Sequence, residues 1–194
     1  VPAGGLRERK RAKMRSEIQT QALRLFRERG YETTTVQHIA DAAVVSESTV
    51  YRYFPSKADL VLTDEFDPIV LNRLAAQPPD LNALQAIRAA FASVLTTLPA
   101  SELTEQQERV ALIMSVPELR GAMLDKLATA IDLLADAVGK RTGRSATDPA
   151  VQALAGAVIG VGTTVMLTIA RDPTSNLATG LDDALRHLET ALEL

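Results

Sequence analysis

Apolar residues along this chain recur at every third or fourth position and nowhere alternate with polar ones over a strand's length. Such a pattern predicts helices and no sheet, and a helix with one apolar stripe must bury that stripe against another helix. The 194 residues are 46% apolar but only 4% aromatic, so the core has to be built from Ala, Leu, Val and Ile. Ala and Leu lose little side-chain freedom in a helix, which agrees with the periodicity. There is no cysteine, and this excludes disulfides, thiolate metal sites and thiol nucleophiles. The expected fold is all-α.

Helix punctuation predicts about nine elements. The first covers residues 6–29, with Ile18, Ala22, Leu25 and Phe26 on one stripe and Gly30 as its C-cap. Thr34 is the expected N-cap of a second, short helix, with Gln37 as its capping-box partner and Val36, Ile39, Ala40 and Ala43 facing inward. A tight connection, Ala43-Val44-Val45, leads to Ser46, the N-cap of a third helix ending near Tyr53, from which Val45, Val50 and Phe54 point inward. Pro55 stops it, and Ser56 opens a fourth helix that runs to a Pro-Pro break at residues 77–80. Further helices are expected over 81–98, 99–116, 117 to about 140, 149–171 and from 175 onward. Two short helices joined by a turn and leaning on a longer one describe a helix-turn-helix. It forms an expected N-terminal domain, 1–55, ahead of a helical domain, 56–194.

Charge divides the same way. Residues 1–60 hold eleven basic and seven acidic side chains, whereas the remainder holds ten and seventeen, for a net charge of −3 overall. A basic leading end before an acidic body is the pattern of a chain that meets a polyanion at one end, or of a solvated basic tail. The leader lacks the apolar core of a secretory signal, so a cytoplasmic location is expected. Residues 151–170 form a twenty-residue uncharged run with Gly156 and Gly160 at packing spacing. Gln152, Thr163, Thr164 and Thr168 dilute it, and no aromatic belt flanks it, so the expected state is a helix covered on all sides within a soluble protein.

Three of the seven aromatics fall within "TVYRYFPSK", residues 49–57. The surrounding stretch, "TTVQHIADAAVVSESTVYRYFPSKADLV", resembles the DNA-binding signature of the tetracycline-repressor (TetR) family of bacterial regulators. In that pattern a threonine opens the second helix, Ile-Ala closes it, Val-Ser leads into a recognition helix, and Thr-x-Tyr-x-Tyr-Phe-x-Ser-Lys follows. The match covers about residues 10–62. It implies a recognition helix whose N-terminal end meets base edges in the major groove. Ser46, Glu47, Ser48 and Thr49 occupy that end, and Arg52 lies on the same helix. Tyr51 and Tyr53 are placed to reach phosphate oxygens, Lys57 to hold a phosphate beside the fourth helix, and Thr35 to do so from the second. Phe54 is the expected core pin. Three positions depart from the family: Val44 and Ser48 where glycine is usual, and Glu47 where lysine is common. Val44 implies either a different turn or tolerated strain, and Glu47 can accept from a cytosine amino group.

The resemblance also implies a homodimer formed by the last helices, to which Gly156, Ile159, Gly160 and Thr163 are suited, and double-stranded DNA as partner. The middle helices would enclose a small-molecule effector. Phe91, Val94, Leu95 and Leu98 are candidates for its wall, as are Ile113, Met114, Leu127, Ile131 and Leu134, with Arg120 as an anion partner. "LVLTDEFDP" and "LIMSVPELRGAML" resemble a TetR subgroup with an acyl-CoA-like ligand. The function expected is a ligand-responsive DNA-binding repressor, released from a palindromic operator by an apolar or acyl-type effector. A transcriptional activator or a helical adaptor is the alternative. An enzyme is not expected, since His38 and His187 are the only histidines and no nucleophile or phosphate-loop motif accompanies them. No cofactor or metal is called for.

Overall fold

A computed structural model describes residues 5–63, 66–172 and 174–192. Among the described residues there are ten helices and no strand. The chain divides into two compact units, Val1–Thr63 and Asp64–Leu194.

The first unit contains α1 (Leu6–Arg29), α2 (Val36–Ala42), α3 (Glu47–Tyr53) and α4 (Asp59–Leu62). α1 ends as expected: Gly30 takes φ 85°, which only glycine adopts freely, and its N–H donates to the Phe26 carbonyl at 2.9 Å. Ile18, Ala22, Leu25 and Phe26 are buried on one stripe; Ile39, Ala40, Val50, Phe54 and Leu60 are buried as well, and α1 packs on α2 and α4 while α2 packs on α3.

The cap of α2 lies one residue later than the sequence predicts. Thr35 accepts from the His38 N–H at 3.2 Å, and the His38 Nδ1 accepts from the Thr35 N–H at 3.3 Å. Thr34 is buried instead, and its hydroxyl donates to the Gly30 carbonyl at 2.8 Å. Both threonines suit an N-cap. The tertiary contact with the end of α1 takes Thr34, so Thr35 and His38 cap in place of Thr34 and Gln37.

The predicted fourth helix is two helices. α4 begins later than Ser56, with Ala58 as its N-cap. Ser56 instead exchanges bonds with Asp59 across the turn, Asp59 N–H to Ser56 Oγ at 3.1 Å and Ser56 N–H to Asp59 Oδ2 at 3.1 Å. At Thr63 the chain turns extended (φ −91°, ψ 124°). Gln19 of α1 donates its amide to the carbonyls of Leu60 and Thr63 there, supplying from forty residues away the partners a helix end leaves open. Leu60 and Val61 are fully buried, so the unit extends beyond Pro55 to Thr63.

The second unit holds α5 (Phe66–Ala75), α6 (Ala83–Leu95), α7 (Ala100–Ser115), α8 (Pro117–Thr142), α9 (Pro149–Arg171) and α10 (Leu177–Leu192). α9 packs on α7, α8 and α10, while α6 packs on α5 and α10. Asn82 and Gln85 form a capping box at α6. Proline opens α8, and Gly143 closes it in the left-handed region. Gly139 has to be glycine: a Cβ there would lie 2.8 Å from the Arg144 carbonyl oxygen as the chain folds back. The Arg141 guanidinium donates to the carbonyls of Gln77, Pro78 and Leu81, which satisfies the loop before α6. Ile87, Leu119, Ala135, Ala155, Ile169 and Leu185 fill the core between these helices.

α9 differs from its expected surroundings. It is long and apolar enough to cross a membrane by length and composition, yet only 22% of its most apolar stretch is buried within the chain. Val151, Ala155, Val158, Val165 and Ile169 face inward. The opposite side is uncovered.

Candidate nucleic-acid interface

α3 is anchored through one residue and presents the others. Val50 is its only buried member, and Phe54, just past its end, is 1% exposed. Ser46, Glu47, Ser48, Tyr51 and Arg52 are exposed, and Thr49 and Tyr53 are half-buried. Tyr51 keeps 48% of its surface open. Ser46 Oγ accepts from the Thr49 N–H at 3.2 Å and lies 2.9 Å from Ser48 Oγ and 3.0 Å from Thr49 Oγ1. Three hydroxyls are thereby tied together at the helix start, fixed in place while still able to bond outward.

Thr35 is exposed at the start of α2. Its hydroxyl serves the cap as an acceptor and keeps its own hydrogen for a further acceptor. The capping role of His38 emerges only from the structure. Val44 resolves its two alternatives in favour of strain. It sits at φ 55°, with its N–H donating to Asp41 at 3.2 Å, and its side chain is 90% exposed. A β-branched residue in this region costs about 1–2 kcal/mol, and nothing in the structure explains why it is there.

Basic side chains in this unit lie over aromatic rings, a feature that sequence reasoning missed. The Arg15 guanidinium is 5.1 Å from the Phe54 ring centre, and that of Arg52 is 5.5 Å from Tyr53. Lys57 Nζ is 4.1 Å from the Tyr31 ring and 5.9 Å from that of Phe26. The available signal was Tyr31 itself, an aromatic directly after a helix-ending glycine.

In the second unit Gly156, Ile159 and Thr163 are half-buried and Gly160 is exposed. With exposed Leu167 they follow the uncovered side of α9, and a Cβ at Gly156 or Gly160 would meet nothing within 4 Å. The residues expected to line an effector site all lie in the second unit. Val94, Leu95, Ile113, Met114 and Leu134 are buried, whereas Phe91, Leu98, Leu127 and Ile131 are half-buried. Arg120 is exposed and donates to the Met114 carbonyl. Phe91 and Leu95 line a cleft of about 390 Å³ between α6 and α10, shared with Arg88, Leu185, Asp182 and Arg186.

Ion pairs join the two helices of that cleft. Arg88 Nε donates to Asp182 at 2.7 Å and Nη1 to Glu189 at 3.3 Å; Arg186 donates to Asp182 at 2.6 Å, and Gln85 to Glu189 at 2.8 Å. The hydrogen bond from Arg88, with a second from Arg186, holds the Asp182 carboxyl below its ordinary range. The hydrogen bond to Asp182 raises the Arg88 guanidinium above its own ordinary value.

A helix-turn-helix with an outward-facing second helix, followed by a separate helical unit, defines the class of one-component DNA-binding regulators. Residues 18–63 match the family of bacterial regulatory proteins named for TetR, and residues 81–193 match the MftR C-terminal domain. The chain belongs to the TetR family of bacterial transcriptional regulators. It is 41% identical over 101 residues to the transcriptional regulator TcmR of Streptomyces glaucescens, covering 51% of this chain and 45% of TcmR. That match therefore spans less than half of TcmR's length. It is 26% identical over 181 residues to MftR of Mycobacterium tuberculosis, covering 91% of this chain and 89% of MftR. Among solved structures, SmeT, repressor of a Stenotrophomonas maltophilia multidrug efflux pump, superposes with a TM-score of 0.62 at 17% identity, over 91% of this chain and 89% of SmeT. Thermus thermophilus FadR, a repressor solved with lauroyl-CoA, gives 0.56 at 25% identity, over 89% and 91% of the two chains.

Proposed function

We propose that this regulator is a cytoplasmic homodimer that represses transcription from a palindromic operator and releases it when a small apolar or acyl-type effector binds the second unit. The observation that carries the DNA-binding part is the open outer face of α3. Base edges would be read by Ser46, Glu47, Ser48 and Thr49, while Tyr51, Arg52, Tyr53, Thr35 and Lys57 bond phosphates. Phosphate contacts fix the register, and the short side chains at the helix start allow the close approach that base contact requires.

Self-association through α9 is supported by its uncovered apolar side, where glycines let two backbones approach closely. A twofold dimer presents two recognition helices to two half-sites, hence the palindrome. Effector response is supported by likeness to a repressor solved with an acyl-CoA, and Val94, Ile113, Met114, Leu127 and Ile131 of α6, α7 and α8 would supply an aliphatic wall. An effector that binds the non-DNA-bound form better shifts the population away from the operator. Mobility-shift assays on genomic fragments test the proposal. They should yield a salt-sensitive complex on a palindromic site that dissolves on adding an acyl-CoA. Binding indifferent to sequence would exclude operator recognition.

A further inference from the structure

We infer that Tyr31, buried and remote from the recognition helix in sequence, is a positioning residue for DNA binding: its ring holds the Lys57 ammonium in place to meet a phosphate. This rests on the reading of Lys57 as a phosphate ligand.

Tyr31 is 2% exposed, at the turn after α1, and its ring lies 5.1 Å from that of Phe26 in a tilted pair. Lys57, half-buried in the turn before α4, places Nζ 4.1 Å from the Tyr31 centroid, well inside the range at which a ring quadrupole attracts a cation. Among the described residues, no carboxylate, carbonyl or hydroxyl takes a hydrogen bond from that ammonium. An ammonium carries three donors and needs acceptors for them. The π face meets one side of it, and its donors remain available to an acceptor from outside the chain. A lysine at a surface ordinarily loses much rotamer freedom when it grips a phosphate. Here two rings have already confined it, so less freedom is lost on binding.

Ring charge can be varied at constant shape. The full chain is prepared with Tyr31→Phe and with phenylalanines of increasing fluorination at position 31, each alone and with Lys57→Met. Affinity for a fluorescein-labelled duplex of mixed sequence is measured against salt, since phosphate contacts act on any sequence. The Lys57 ε-methylene proton shift reports whether the ammonium end lies over the ring. Expected results are an upfield ε-methylene shift in the Tyr31→Phe chain, and a dissociation constant that rises with fluorination by about threefold to tenfold. With Lys57→Met that rise should disappear. A flat affinity across the series, with Lys57→Met still weakening binding, would overturn the role of Tyr31 and leave the phosphate contact standing. No effect of Lys57→Met would instead remove the phosphate contact itself. If fluorinated chains fail to unfold cooperatively, an unshifted ε-methylene in the Tyr31→Phe chain overturns the inference equally.

Discussion

Val44 carries strain that its own contacts do not offset. Its side chain is almost wholly solvated and its backbone is left-handed, so Val44→Gly should raise the stability of the first unit by about 1 kcal/mol. Urea unfolding followed by circular dichroism would show this, and a loss of stability would mean that the isopropyl group packs in solution. Tyr51 illustrates the opposite case, an exposed side chain that the proposed function assigns to a phosphate. Tyr51→Phe removes one hydroxyl and should weaken binding similarly on all sequences while melting remains unchanged, as fluorescence anisotropy would record. Asp182 links residue chemistry to pH. Arg88 and Arg186 depress its carboxyl, so its contribution is present above the unfolded carboxylate value and is lost as pH falls through the lower folded one. Asp182→Asn should therefore destabilise near neutrality, and the gap from the parent chain should close in strong acid. A gap independent of pH in thermal melts would contradict this sign.

At the scale of elements, capping decides where helices begin. The box at α2 uses a histidine where Glu or Gln is usual, with Nδ1 accepting the Thr35 N–H. Losing that acceptor in His38→Ala should cost about 1 kcal/mol, and His38→Gln should restore most of it. Equal loss in both variants, in denaturant titrations, would mean that the imidazole acts otherwise than as a cap. Several element boundaries were legible because Gly30, Ser46, Pro55, Pro117 and Asp148-Pro149 act through their immediate neighbours. The break at Thr63 was not legible, since its cause is a Gln19 amide on α1. The shift from Thr34 to Thr35 has the same origin: of two adjacent residues with equal local aptitude, burial against α1 claims one.

For the whole molecule, the open side of α9 is the largest feature that one chain leaves unsettled. Gly160→Arg adds a side chain into open space and replaces glycine in a helix interior, which by propensity alone favours the helix by up to about 1 kcal/mol. The monomer should therefore fold at least as well, while sedimentation should show loss of self-association and weaker operator binding. A dimer that persists would move the interface elsewhere. The same reasoning shows why the effector residues were hard to read. An aliphatic helix position looks alike in sequence whether it lines a space or fills it, and the cleft beside Phe91 and Leu95 becomes visible only when α6 and α10 are brought together.

The sequence by itself determined the helical class, the order of most helices and the two short helices of the helix-turn-helix. Each of these follows from periodicity, capping and turn chemistry acting over a few neighbouring residues. Only the tertiary structure decided which threonine caps α2, where α4 stops, that Lys57 rests on Tyr31, and that Val44 is strained rather than accommodated by a different turn. The contacts among these join groups separated along the chain, and a contact between residues 19 and 63, or 31 and 57, leaves no periodic trace to read; the backbone state of Val44 is one that its residue type does not announce.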